Sequence, residues 1–221
     1  MKRIIIICEG ETEQEFCDKI LYPYFLEKQI DVSFRNIEGI KKWNFFKKLI
    51  ENELKEEKSA FLTTFIDFYG IQKGHSFPSW NESLSVADKN SRMDFLETKM
   101  KNDIDNQLNF RFIPYIQLHE FEGLLFNDIE IFYNVFTNNE LVGKDELGDV
   151  FRDFSNPEMI NDSKETAPSK RLLRIIPSYD KIVYGSILAE NIGLQNIRNK
   201  CPRFNAWIEK LEIINDKHIN S

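Results

Sequence analysis

Two short runs of apolar residues constrain the fold most, because they lack the polar alternation of a half-exposed strand. Residues 4–8 and 60–67 are nearly continuous in β-branched and aromatic side chains, and the second run ends in Asp67. Runs of this kind are typical of strands that are buried on both faces, as in parallel sheets. Each run is followed along the chain by helical periodicity, which is the alternation that builds an open α/β sheet.

The predicted elements alternate in the order β-α-β-α-β-α-β, and helices follow the fourth strand. The strands are predicted at residues 4–8, 31–37, 60–67 and 111–117. The later helices are predicted at residues 120–136, 140–154, 169–176, 179–191 and 202–214. We therefore predict an α/β domain over residues 1–155, with an open, mostly parallel sheet flanked by helices. A basic, helical C-terminal extension over residues 156–221 is expected to pack on it.

Composition argues against several classes of protein. The apolar runs fall well short of the roughly 20 residues that a membrane helix needs, so no membrane association is expected. Three cysteines without CxxC spacing argue against a disulfide framework and a zinc ribbon, and we expect a cytoplasmic protein. The net charge of −7 argues against passive coating of nucleic acid, although residues 168–203 are rich in lysine and arginine.

Carboxylates follow the predicted strands at the points where the strands end. Glu9 and Glu13 come after the first strand, and Asp67 closes the third. Ligand sites of parallel sheets form beyond the carboxyl ends of the strands, so these acids are expected at one edge. Hard divalent cations take oxygen ligands, which predicts a site for Mg²⁺ or Mn²⁺. The structural alternatives are a first-turn helix acid at Glu13 and a turn cap at Asp67.

A second acidic block, His119-Glu120-Phe121-Glu122, follows the fourth strand. If the block opens a helix, His119 and Glu122 lie three residues apart on one face, as metal ligands or an acid–base pair can. Histidine titrates near neutral pH, so His119 or Glu120 is the predicted proton-transfer residue. Glu120 and Glu122 are further candidates for metal ligands. The pattern is not His-Glu-x-x-His, which disfavours a zinc protease, and a structural role for the histidine is the alternative.

Basic side chains are frequent in the predicted extension. Pro168-Ser169-Lys170-Arg171 begins a helix, with Ser169 as its cap and backbone N–H groups available to an anion. Because lysine and arginine both bind phosphate, we predict a phosphate- or nucleic-acid-binding surface, with a solvated basic helix face as the alternative. The members of this predicted surface are Lys170, Arg171, Arg174, Lys181 and Arg203.

Glu9-Gly10-Glu11-Thr12-Glu13 and the strand-ending Asp67 resemble the Toprim domain of topoisomerases, primases, recombination proteins and OLD (overcoming lysogenization defect) nucleases. Over residues 3–212 the chain also resembles an uncharacterised bacterial Toprim-like family. The blocks that carry this second resemblance are Glu9-Gly10-x-Thr12-Glu13, Asp67-Phe68-Tyr69-Gly70, Phe112 to Glu122, Ala167 to Arg171 and Cys201 to Phe204.

One position departs from the Toprim pattern. Toprim enzymes usually present Asp-x-Asp after the corresponding strand, whereas Tyr69 stands here in the place of the second Asp. Either Glu120 or Glu122 supplies the missing ligand, or the site holds one metal less firmly. A two-metal mechanism is therefore open to question.

The resemblance implies a metal-dependent nuclease that hydrolyses the phosphodiester bonds of DNA or RNA. In that interpretation a cation on Glu9, Glu13 and Asp67 orients the scissile phosphate, and His119 or Glu120 assists proton transfer. The resemblance also implies a phage-defence or DNA-repair setting beside an AAA or SMC-like ATPase, and it is compatible with a homodimer. The alternative is a non-catalytic nucleic-acid-binding or regulatory partner of such an ATPase, which the missing second Asp favours.

Overall fold

The computed structural model describes residues 1–161, 163 and 165–215 of the chain. A five-stranded parallel sheet forms the centre of this part, and helices pack on both of its faces. The strands are β1 (Lys2–Cys8), β2 (Ile30–Asn36), β3 (Ala60–Asp67), β4 (Phe112–Ile113) and β5 (Ile116–Gln117). The predicted α/β class with a parallel sheet is therefore confirmed.

Helices occupy the connections between the strands and the C-terminal half of the chain. The first half contains α1 (Glu11–Phe16), which continues through a π-helical segment (Cys17–Leu21) into α2 (Tyr22–Glu27), then α3 (Trp43–Glu56), α4 (Trp80–Ser83) and α5 (Lys89–Asp103). The second half contains α6 (Ile129–Val135), α7 (Lys144–Asp153), α8 (Pro168–Ile175), α9 (Lys181–Ile192), α10 (Leu194–Lys200) and α11 (Pro202–Glu212). The predicted C-terminal helical region is thus also confirmed. Within the described residues, no helix combines the length and the apolar character that crossing a membrane requires.

The sheet order brings three strand ends to one place. β1 lies between β2 and β3, and β3 pairs on its other side with β4 and β5. Cys8, the last residue of β1, lies opposite Phe65 of β3, so the chain leaves β1 beside the end of β3. Asp67, the last residue of β3, lies opposite Gln117 of β5. The segments that follow β1, β3 and β5 therefore begin at the same edge of the sheet.

Each face of the sheet buries its own apolar core. Because side chains alternate along a strand, an uninterrupted apolar run supplies both faces. In β1, Ile4 and Ile6 join one core, and Ile5 and Ile7 join the other. The first core includes residues of α8, α9, α10 and α11 together with those of α1 and β3. The C-terminal helices therefore pack directly on the sheet domain.

The fourth predicted strand is broken in the structure. Pro114 lacks the N–H that a strand ladder requires, and it separates β4 from β5. Two threonine side chains of β3 bridge the gap: the Thr63 hydroxyl donates to the Ile113 carbonyl, and the Thr64 hydroxyl donates to the Tyr115 carbonyl at 2.8 Å. The predicted helix over residues 120–136 is also divided, into a 3₁₀ turn (Phe121–Leu125) and α6.

Candidate functional site

A cavity of about 390 Å³ opens at the carboxyl edge of the sheet. Its carboxylates come from the segment after β1, the first turn of α1, the end of β3 and the segment after β5, and one lysine comes from the start of α9. The lining residues are Glu9, Gly10, Thr12, Glu13, Gly39, Asp67, Tyr69, Gly70, Glu120 and Lys181. The acids predicted from strand ends therefore meet in one place. We call this space the acidic cavity.

Backbone N–H groups anchor the two acids that follow β1. Glu9 Oε2 accepts a hydrogen bond from the Asp67 N–H at 2.9 Å, so the Glu9 side chain reaches across to the end of β3. Glu13 Oε2 accepts from the Gly10 N–H at 2.9 Å, three residues earlier in the chain. This contact fixes the start of α1, whose N-cap is Gly10. Both acids are held by main chain rather than by a basic side chain.

The other two acids are anchored in the same way. Asp67 Oδ1 accepts from the Phe121 N–H at 2.9 Å, and Glu120 Oε2 accepts from the Ser169 N–H at 2.9 Å. Backbone N–H groups thus hold all four cavity acids in position.

Gly70 is required by the close approach of Glu9. A Cβ atom at position 70 would lie 2.6 Å from Glu9 Oε1 and 2.7 Å from Ile40 Cγ1, both shorter than normal van der Waals contacts. The main chain after β3 therefore packs directly on the Glu9 carboxylate. This contact gives a physical reason for glycine in the Asp67-Phe68-Tyr69-Gly70 block.

The electrostatics of the acidic cavity favour protonation when no cation is bound. The pKa of Glu9 is raised to about 7, chiefly by burial and to a smaller extent by the carboxylate of Glu13, against the lowering effect of the Asp67 N–H. Burial also raises the pKa of Glu13, with Glu122 as the largest contribution from a neighbouring acid. The pKa of Asp67 is raised well above its usual range by burial and by Glu13 and Glu9. Carboxylates that repel one another in this way favour a bound cation.

Lys181 provides a positive charge in the cavity. Its Nζ lies 2.8 Å from Oε1 of Glu122, a side chain that is almost fully buried behind the cavity. Burial lowers the pKa of Lys181, but the charges of Glu122, Glu120 and Asp67 outweigh burial and raise it overall. One ammonium group therefore faces four lining carboxylates and is already engaged by a fifth.

His119 lies beside the cavity rather than in its lining. It is buried, has a left-handed backbone with φ of 69°, and precedes the 3₁₀ turn, so it shares no helix face with Glu122. Its ring packs on Tyr69 at a centroid distance of 5.2 Å. Lys89 Nζ lies 3.4 Å from His119 Nε2 and donates to the Asn161 carbonyl. The block therefore does not open a helix with His119 and Glu122 on one face, which was the condition of the predicted pairing.

The predicted basic surface is also divided among separate partners. Arg174 forms a two-pronged contact with Glu146, and Arg171 lies 3.6 Å from the same carboxylate. Arg203 forms ion pairs with Asp94 and Glu97 of α5. The two lysines differ as well, since Lys170 is exposed and Lys181 lines the acidic cavity. The structure therefore does not bring these five residues together into one surface.

The two proline-started helices bind glutamates of the chain itself. At the start of α8, Ser169 is not the cap, and its N–H donates to Glu120. At the start of α11, the N–H groups of Arg203 and Phe204 donate to the two oxygens of Glu158, each at 2.9 Å. Both helix N-termini thus have an internal carboxylate as their anion, and α8 acts as a support for the cavity acid Glu120.

Some lining residues were not predicted from the sequence. Gly39 has a φ of 85°, and its N–H donates to the Glu9 carbonyl at 2.7 Å. The order of strands explains its position, because β2 neighbours β1 and the segment after β2 ends beside Glu9. Tyr69 was noted for the acid that it replaces, while its own ring forms part of the cavity wall.

The donor chemistry fits a hard cation, although the side chains do not form a ready-made metal centre. Among the described residues, no three His, Cys, Asp or Glu side chains are arranged to hold a metal ion. Mg²⁺ commonly takes one or two carboxylates directly and keeps several water molecules. The carboxylates of Glu9, Glu13 and Asp67, held by backbone N–H groups and with raised pKa values, are compatible with that mode of binding.

Fold and cavity together define an α/β protein with a parallel sheet and an acidic cleft at the carboxyl ends of its strands. The chain belongs to the family described as "Domain of unknown function (DUF4276)", whose family model matches residues 8–212. No curated protein and no solved structure shows significant similarity to the chain. The expectation of an uncharacterised family is thereby confirmed, and the relationship to Toprim proteins stays a prediction.

Proposed function

We propose that this protein is a divalent-metal-dependent nuclease that hydrolyses phosphodiester bonds of DNA or RNA with Mg²⁺ or Mn²⁺. The observation that carries the proposal is the convergence of Glu9, Glu13 and Asp67 from separate segments in one cavity. Their raised pKa values and the surplus of carboxylates over Lys181 support a cation as the resident partner. The likeness of the Glu9 and Asp67 segments to the Toprim pattern points to the same chemistry.

Each cavity residue has a role under this proposal. A bound Mg²⁺ ion supplies charge neutralisation at the scissile phosphate and at the leaving oxygen. Glu9, Glu13 and Asp67 are the residues that would hold it. Glu120, which the Ser169 N–H holds, is the residue proposed to accept a proton from the attacking water. Lys181 neutralises a phosphate oxygen as a point charge.

A second candidate function is a non-catalytic regulatory or nucleic-acid-binding partner of an AAA or SMC-like ATPase. Two observations favour it: Tyr69 in place of a second aspartate, and the lack of a ready-made metal triad among the described residues. Under either candidate function, we propose that the protein acts in the cytoplasm, in phage defence or DNA repair. We also propose that it forms a homodimer. Cleavage assays separate the two functions.

The decisive experiment compares wild type with Glu9→Gln on linear DNA, plasmid DNA and RNA, each with Mg²⁺, Mn²⁺ or EDTA. We expect divalent-dependent cleavage by wild type and a loss of at least about 100-fold in Glu9→Gln, since one cavity carboxylate is neutralised without a change of shape. Glu11→Gln is the matched control, because Glu11 is exposed and does not line the cavity. Equal cleavage by Glu9→Gln and wild type would rule out the metal assignment. Binding without cleavage in every divalent ion would support the regulatory function.

A further inference from the structure

Tyr69 is an exposed aromatic ring in the wall of the acidic cavity. The side chain lines the cavity and is 40% exposed, two residues after Asp67. Its main chain is fixed, because the Tyr69 N–H donates to the His119 carbonyl at 3.2 Å within the 3₁₀ turn Phe68–Gly70. The exposed Tyr69 side chain therefore shares the cavity with the acids Glu9, Asp67 and Glu120.

Tyr69 belongs to a continuous row of aromatic rings. Trp80 and Phe68 lie 5.8 Å apart between centroids, Phe68 and Tyr69 lie 6.3 Å apart, and Tyr69 and His119 lie 5.2 Å apart. Successive planes are inclined by 33°, 31° and 37°. The Arg92 guanidinium covers Phe68 at 4.8 Å and Trp80 at 5.2 Å. Phe68 and Trp80 are partly buried against the second core and His119 is buried, so Tyr69 is the member of this row that is exposed at the cavity.

Charge distribution argues against a duplex as the ligand. Binding to double-stranded nucleic acid depends on several lysine or arginine contacts to phosphates. Here Glu146 engages Arg171 and Arg174, and two acids of α5 engage Arg203. The chain as a whole carries a net charge of −7. Besides the single phosphate contact proposed for Lys181, aromatic stacking on unpaired bases is a contact that the cavity wall offers.

We propose that Tyr69 stacks on an unpaired nucleobase next to the phosphate held in the acidic cavity, which makes single-stranded DNA or RNA the substrate class. The assignment of the phosphate rests on the proposed nuclease function, whereas the stacking contact does not require cleavage. A cavity of about 390 Å³ lies within the size range of small-ligand sites and accommodates one nucleotide unit rather than a paired duplex. Bases in a duplex are stacked on one another and cannot present a face to Tyr69.

The test measures binding of a single-stranded 12-nucleotide probe that contains one 2-aminopurine, in a Glu9→Gln background that prevents cleavage. Tyr69→Leu should weaken binding about tenfold or more, the loss expected for one stacked base. Tyr69→Phe keeps the ring and should restore the affinity and the fluorescence quenching that reports stacking. Tyr133→Leu is the matched control, because Tyr133 is a tyrosine of similar exposure, 43%, outside the cavity. It should bind like its parent.

Several results would overturn the stacking proposal. They are unchanged affinity in Tyr69→Leu, equal losses in Tyr69→Leu and Tyr69→Phe, an equal loss on a hairpin duplex of the same composition, or no binding of the single-stranded probe at all. A melting curve of Tyr69→Leu that matches its parent excludes misfolding as the cause of a loss. Failure of wild type to cleave in Mg²⁺ or Mn²⁺ would contradict the nuclease function. The binding measurements would still decide whether Tyr69 stacks on a base.

Discussion

The negative charges of buried acids are compensated differently in two regions of this molecule. At the edge of the sheet, Glu97 of α5 meets Arg203 of α11, and both side chains are only 8% exposed. Glu97 Oε1 also accepts from the Ile116 N–H at 2.8 Å, and Arg203 Nε donates to the Ile116 carbonyl at 3.3 Å. The pair takes the place of a neighbouring strand at Ile116, and its opposite charges satisfy each other.

In the acidic cavity, the neighbouring charges that act most strongly on Glu9 and Asp67 are those of other acids. Burial raises the pKa of both Glu97 and Glu9, but the neighbouring charges act in opposite directions. Arg203 lowers the pKa of Glu97, whereas Glu13 raises that of Glu9. A buried charge with a structural role has a partner of opposite charge within the fold, because an unpaired buried charge is costly. A surplus of like charge around a cavity therefore indicates a ligand of opposite charge.

The largest expected effect comes from breaking the Arg203–Glu97 pair. Arg203→Ala leaves the Glu97 carboxylate buried and unpaired, so we expect the free energy of unfolding to fall by about 3–5 kcal/mol. For a chain of this size, that loss lowers the melting temperature on the order of 10 °C, measurable by calorimetry. Asp67→Asn removes a charge from the acidic cavity instead and should leave the melting temperature unchanged or raise it.

A double substitution controls for the lost volume of Arg203. Arg203→Met combined with Glu97→Leu removes both charges, so its cost should be clearly smaller than that of Arg203→Ala. The pair is not the stabilising contact described above if Arg203→Ala has the melting temperature of wild type. The same conclusion follows if the double variant is no more stable than Arg203→Ala.

The next effect concerns the pH dependence of the metal-free protein. The pKa of Glu9 rises from its usual 4.5 to about 7 in the folded state, so folding favours the protonated form. The associated stability is present below about pH 4.5 and is lost as pH rises through about 7. We expect unfolding free energies in EDTA to fall by on the order of 2 kcal/mol between pH 5 and pH 8.

Two comparisons isolate the cavity in this measurement. Glu9→Gln cannot ionise at position 9 and should show a flatter pH profile than wild type. Mg²⁺ should restore stability at pH 8 more than at pH 5, because binding requires ionised carboxylates. A wild-type stability that rises from pH 5 to pH 8 in EDTA, with the same slope in Glu9→Gln, would show that the folded protein does not raise the pKa of Glu9.

Local patterns determined how much of this structure could be predicted. The bounds of β3 agree with prediction because an apolar run of that length fits a buried parallel strand and little else. Parallel topology then places strand-end acids at one edge, which is why Glu9, Asp67 and Glu120 share a cavity. The bridging of the break at Pro114 depends on threonine hydroxyls of another strand, which no local pattern reveals.

Partners of basic residues could not be predicted for a related reason. Arg203 and Glu97 are separated by 106 residues in the chain, and their meeting depends on how α11 packs on α5. The basic residues between 168 and 203 therefore predicted a phosphate-binding surface. In the fold, Arg171, Arg174 and Arg203 form ion pairs with acids of the chain itself. The number of basic residues in a stretch of sequence does not show which of them form ion pairs with acids from distant parts of the chain.

The smallest expected effect tests how closely the cavity holds one carboxylate. Gly70→Ala places a Cβ 2.6 Å from Glu9 Oε1, so the carboxylate must move away from its position beside Asp67. We expect Mg²⁺ affinity, measured by calorimetric titration, to fall about tenfold, as for other groups that position metal ligands. Gly74→Ala is the matched control, since a Cβ there meets no atom within 4 Å. Equal affinities in the two variants would mean that the cavity tolerates displacement of Glu9 and that this carboxylate does not bind the ion.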